Sequence, residues 1–148
     1  MIEGIIQAIS IALDAEFGES YKIYPELTEQ ELSKPCFFVY CLETSCNVYR
    51  GNRYFSKNTF VIQYFPYSSD IEMECNRVAE RLFSCLELIT CPEESMPISG
   101  TKMNAKIEDG RLFFKVDYDL FLIKGEDAVL METLEQEIEN RKNNMTEN

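Results

Sequence analysis

Asp117 and Asp119 stand two residues apart in the run Val116-Asp117-Tyr118-Asp119-Leu120. A strand repeats every two residues, so both carboxylates are expected on one face. With Glu108 added, they are the kind of oxygen set that holds Mg²⁺ in a nuclease. The plainer reading is that they solvate the open face of a strand. The chain contains no histidine, which removes Ser-His-Asp and Cys-His nucleophile systems and histidine metal ligands. The six glycines stand alone and form no phosphate-binding loop. Six cysteines occur without a C-x-x-C pair, so zinc held through Cys36, Cys41, Cys46 and others is only a weak alternative by the usual ligand spacings. Cys46 lies in the most cationic setting, which a nucleophilic thiolate requires, but it reads more simply as a strand cysteine. The expectation is a protein with no catalytic residues, no cofactor and no metal.

A different group of residues points to binding. Between Asn47 and Asn58 there is no acid, while Arg50, Arg53 and Lys57 are interleaved with Tyr49, Tyr54 and Phe55. Gly51 and Asn52 tolerate positive φ, so Arg50-Gly51-Asn52-Arg53 reads as a tight hairpin turn. Arg and Tyr dominate protein interfaces, whereas opposed arginines in a strand pair repel. Arg50, Gly51, Asn52, Arg53, Tyr54 and Lys57 are therefore the candidate interface, a basic finger where a partner docks. The alternative is that these charges only keep a long hairpin soluble and its edge unpaired.

The elements that carry this finger follow from hydrophobic period. Ile2, Ile5, Ile6, Ile9, Leu13 and Phe17 predict a helix over 2–17, ended by Gly18. Tyr21–Tyr24 is a short strand stopped by Pro25, and residues 25–35 form a loop. Residues 36–66 are rich in Phe, Val, Tyr, Ile and Thr and predict one long hairpin. The turn sets its expected pairs: Arg50 with Arg53, Tyr49 with Tyr54, Leu42 with Val61 and Val39 with Tyr64. Ser69-x-x-Glu72 is a capping box that opens a second helix. Its stripe is Cys75, Val78, Leu82, Cys85, Leu86 and Ile89, with Cys91-Pro92 as the stop and a loop through Ser99.

Asp109-Gly110 then turns Thr101–Glu108 into Arg111–Ile123. In that second hairpin Ile107, Ala105 and Met103 face Leu112, Phe114 and Val116 on a core side. Lys102, Asn104, Lys106, Lys115, Asp117 and Asp119 take the opposite side, which is wet or shared. Leu130, Leu134 and Ile138 mark a thin stripe in a C-terminal helix over about 128–142, and Asn143–Asn148 should fray. The expected class is α+β: a mostly antiparallel sheet from two long hairpins, helices on one face, and the C-terminal helix. Residues 1–125 form the domain, and 126–148 are an acidic helix and tail.

The net charge of −12 disfavours non-specific contact with nucleic acid. An acidic wall would suit a passage through which DNA slides. Seven acids and two bases fall in residues 126–148. Met1-Ile2-Glu3 lacks the basic start of a secretion signal, and no stretch has the length of a membrane span, so reduced thiols and no membrane partner are expected.

The segments KPCFFVYCLE, GNRY, FVIQYFP, CNRVAERLFSCLELI, GTKM and DGRLFFKVDYDLFLIK, in that order, resemble the tail terminator family of tailed bacteriophages. The nearest likeness is to small proteins of phages and prophages of Gram-positive bacteria, and it covers about residues 2–124. The resemblance implies an α+β subunit that closes into a ring, usually a hexamer, on the finished tail tube. That ring ends tube polymerisation and offers the surface to which the head connector joins. The implied partners are copies of itself, the tail tube protein and the head–tail connector protein. DNA passes through the ring without specific recognition. The implied location is the virion tail, reached by assembly in the host cytoplasm. Arg50, Gly51, Asn52, Arg53 and Tyr54 carry over as a family motif. The competing readings are another neck, head–tail joining or minor tail protein, and an acidic DNA mimic that inhibits a host protein.

Overall fold

A computed structural model describes residues 1–26, 32–93 and 95–123. The predicted C-terminal helix, the frayed tail and most of the 25–35 loop lie outside the described residues. The elements in order are α1 (Ile2–Phe17), β1 (Lys22–Tyr24), β2 (Cys36–Arg50), β3 (Arg53–Phe65), α2 (Ile71–Cys85), β4 (Leu88–Cys91), β5 (Met96–Glu108), β6 (Arg111–Tyr118) and β7 (Leu120–Ile123). The class is α+β, with a curled, mixed sheet of seven strands and two helices.

The sheet runs β1-β2-β3-β6-β5-β4, and β7 also pairs with β3. It is mixed because β1 lies parallel to β2, a pairing that no hairpin turn announces. β3 is the central strand. It pairs with β2 along one side and with β6 and then β7 along the other. Both helices pack on the face formed by Phe37, Val39, Phe60, Ile62, Tyr64, Leu112, Phe114, Val116 and Tyr118. α1 contributes Ile5, Ala8, Ile9, Leu13 and Phe17, and α2 contributes Cys75, Val78, Ala79 and Leu82. Burial pushes the Cys75 and Cys85 thiols up to about 11, so both are held neutral in this layer.

Both tight turns have the backbone their sequences require. Gly51 has φ 58, and Asp109 and Gly110 have φ 55 and 74, the positive values that primed hairpin turns use. The Arg50–Arg53 pair forms as expected, but the other three predicted pairs of the long hairpin do not. Leu42 and Tyr49 are left out of the ladder as β-bulges, and each shifts the register by one residue. Val48 therefore opposes Tyr54, Tyr40 opposes Val61, Val39 opposes Ile62 and Phe37 opposes Tyr64. In the second hairpin, Ile107 opposes Leu112 and Ala105 opposes Phe114 as expected, although both β5 residues are exposed. A further irregularity between Thr101 and Asn104, with Lys102 at φ 51, removes the expected pairing of Met103 with Val116.

α2 begins one residue later than the capping box predicts. Asp70 is the N-cap and accepts the Met73 N–H at 3.3 Å. Glu74, not Glu72, reaches back, accepting the N–H groups of Tyr67 (2.8 Å) and Ser68 (2.7 Å) and the Tyr64 hydroxyl at 2.5 Å. The helix ends at Cys85 instead of running on to Cys91. Residues 88–91 are β4, which pairs with 96–99 where a loop was expected. Leu86 and Ile89 keep helical spacing from Leu82, which is why local period alone extends the helix. Gly100 decides otherwise: a Cβ there would lie 2.7 Å from Leu86 O and 2.9 Å from Val116 Cγ2. The close approach lets the Gly100 N–H bond Glu87 O at 2.8 Å, while the buried Tyr118 hydroxyl donates to Leu86 O at 2.6 Å.

Candidate functional site

The hairpin outruns the helices. α1, with 16 residues, spans about 24 Å, whereas β3, with 13, spans about 43 Å. Its far end is therefore backed by little more than the start of α1. There Leu122 is buried on the helix side among Met1, Cys46, Tyr54 and Leu120. A polar seam separates this small cluster from the main core. Ser56 and Asn58 are fully buried, and Asn58 Oδ1 accepts the hydroxyls of Thr44 (2.6 Å) and Ser56 (3.3 Å). Asn58 Nδ2 donates to Tyr118 O at 2.9 Å, bridging the place where β6 gives way to β7.

Beyond the seam, strand alternation sorts the finger into two faces. Tyr54 opposes Leu122 and Val48, on the helix side. Arg53, Phe55 and Lys57 take the opposite, outer face, and Arg50 joins them as the partner of Arg53. On this face Phe121 packs between two aromatics, with ring centroids 5.1 Å from Tyr49 and 4.8 Å from Phe55. Phe121 and Tyr49 nevertheless remain 59% and 58% exposed. Among the described residues no ion pair or side-chain hydrogen bond holds Arg50, Arg53 or Lys57. The outer face of the tip is thus three cations around an exposed aromatic row.

Of the six predicted interface residues, Arg50, Arg53 and Lys57 share this face, and Gly51 and Asn52 build the turn that presents them. Tyr54 belongs to the other side. Phe121 and Ile123, missed from sequence, complete the surface as the register partners of Phe55 and Arg53. Their signal was the alternation of Leu120-Phe121-Leu122-Ile123, but it acquires meaning only once β7 is known to pair with β3.

The same outer face continues to the base of the hairpin, on the side away from both helices, where it is nevertheless largely buried. Val61, Gln63 and Phe65 line it, with Phe38 and Tyr40 across in β2. The Arg111 guanidinium lies over the rings of Phe65 and Phe113, at 5.1 and 5.4 Å. Gln63 Nε2 donates to the Tyr40 hydroxyl at 3.3 Å, while Gln63 Oε1 and Arg111 Nε are buried and have no hydrogen-bond partner among the described residues.

The carboxylates that opened the chemical reading are engaged in the sheet. Asp117 is only 8% exposed, not solvated as expected, and it accepts the Thr59 hydroxyl at 2.7 Å. Asp119 accepts the Asn58 N–H at 3.4 Å. Glu108 sits at the opposite end of β6 beside Arg111, about 20 Å of strand away, and pairs with Lys106 at 3.6 Å. The structure does not bring the three acids together.

A family profile described as "Phage tail terminator protein" matches residues 4–129. No curated protein matches the chain.

Proposed function

The chain belongs to the phage tail terminator family, a family of structural tail-completion proteins of the virion tail, and from that premise we propose that it forms a closed ring. The ring, of about six copies in the symmetric closure such assemblies use, caps the tail tube, ends its polymerisation and gives the head connector its joining surface. No catalytic step is involved. The observation that carries this reading is the exposed outer face at the tip of the β2–β3 hairpin, which extends past both helices. It is basic and aromatic, with Arg50, Arg53 and Lys57 around the exposed rings of Tyr49 and Phe121. The finger carrying Arg50, Arg53 and Lys57 meets an acidic patch on the tube or the next subunit, and closure of the ring places it there.

The test is the mass of the purified protein in solution, with and without tail tube protein. A ring on tube ends, or in solution alone, is the expected result. A strict monomer that ignores tube ends overturns the reading.

A further inference from the structure

The described chain ends at the finger. Ile123, its last residue, is the register partner of Arg53, which itself opposes Arg50. The remainder of the chain is acidic, with seven acids and two bases in residues 126–148. Glu126 lies three residues beyond Ile123, within about 10 Å of extended chain. In sequence, the acidic run therefore follows closely on the strand that ends beside the basic tip.

The two partners match in more than charge. The finger interleaves Arg50, Arg53 and Lys57 with the exposed rings of Phe121 and Tyr49. The segment interleaves its acids with Leu130, Leu134 and Ile138 at four-residue spacing. Opposed arginines are unfavourable by themselves, and an acid between them removes that cost. A tether of so few residues also holds the segment at an effective concentration in roughly the millimolar range, so modest complementarity suffices.

We infer that residues 126–148 dock on the outer face of the finger in their own chain and cover it in the free subunit. The inference rests on reading the finger as the docking surface. An acidic patch on a partner then competes with the segment for the same cations, which makes exposure of the finger conditional on meeting that partner.

The test uses the full-length chain, dilute and without tube protein, treated with a carbodiimide that joins carboxylates to nearby lysines. Coupled peptides are read by mass spectrometry. Lys57 is expected to couple to acids of 126–139 at least about fivefold more than Lys22 does, and the excess is expected to vanish in 1 M salt, where screening is nearly complete. Lys22 is the control because it pairs with Cys36 at the base of β2, on the order of 40 Å of strand from the tip. The Arg50→Glu, Arg53→Glu double variant is expected to lose the same excess.

Equal coupling of Lys57 and Lys22, or an excess insensitive to salt, overturns the proposal. So does coupling found only between copies in a mixture of isotope-labelled and unlabelled chains. The salt series needs no variant, so misfolding of the double variant does not blunt the test. The coupling is read without the tube and ring closure is read with it. Failure of one therefore does not imitate failure of the other.

Discussion

At the base of the long hairpin Phe60, Ile62 and Tyr64 have no exposed surface, whereas Phe121 and Tyr49 at its tip keep more than half of theirs. Both ends are rich in aromatic and β-branched residues, and β3 runs through both. The difference is what lies beneath. α1 and α2 back the base, while the tip extends past them and keeps only the small cluster around Leu122. Residue type fixes that both ends are strand, and length against the helix layer fixes which end is core. The base holds the fold, and the outer face of the tip is left exposed.

The largest effect that can break this comparison comes from deleting one ring at each end. Phe60→Ala is expected to cost about 3–5 kcal/mol of unfolding free energy, the range for an aromatic removed from a close-packed core. Phe121→Ala is expected to stay near or below about 1 kcal/mol, while weakening ring or tube association. Denaturant titration of both variants decides it, and equal losses would mean that the tip is part of the core.

Next in size is Glu74, which ties the end of β3 to the start of α2. Burial raises its pKa, but the hydrogen bonds from Tyr64, Tyr67 and Ser68 outweigh burial and hold the carboxyl below its ordinary value. Burial and the Glu74 carboxylate together push the Tyr64 hydroxyl well up, so it remains a donor. Glu74→Gln is expected to cost about 1–3 kcal/mol at neutral pH, as for hydrogen bonds to a charged acceptor. The folded-state pKa lies below the unfolded one. The contribution is therefore complete above about pH 4.3 and is lost as the pH falls through the folded value. Stability curves of the two proteins should converge in that acid window, and a constant gap down to the lowest pH would discard this account.

The smallest effect belongs to the tip. Arg53→Thr removes one of two like charges directly across the strands. It is expected to leave stability within about 0.5 kcal/mol, on the stabilising side at low salt. Thermal melts at low and high salt check the sign, and a clear loss would show that Arg53 has a structural partner.

Sequence made some of this legible and hid the rest for physical reasons. Local period and turn chemistry give α1, the hairpin turn at Gly51-Asn52 and the turn at Asp109-Gly110, because each is decided within a few residues. The Arg50–Arg53 pair follows directly from its turn. Pairings between distant segments do not follow. β1 beside β2, β4 beside the start of β5, and β7 beside β3 are all settled by contacts that no local window contains. Asp117 looked wet because its strand alternates cleanly, yet its face is shaded by Thr59 and its neighbours. At the finger the cations were visible in the sequence. One of the three rings of the aromatic row was not, because Phe121 reaches it from the last strand.

The two bulges at Leu42 and Tyr49 have a consequence for sidedness. Each extra residue inverts inside and outside for everything beyond it, and two inversions cancel. Even-numbered residues of β2 face outward at Arg50 and again at Tyr40 and Phe38, while between the bulges it is Glu43, Ser45 and Asn47 that face outward. A single insertion would have turned Glu43 into the core or turned the arginines away from the aromatic row. Insertions in this strand are therefore tolerable only in even numbers, which ties the aim of the tip to the packing of the base by parity alone.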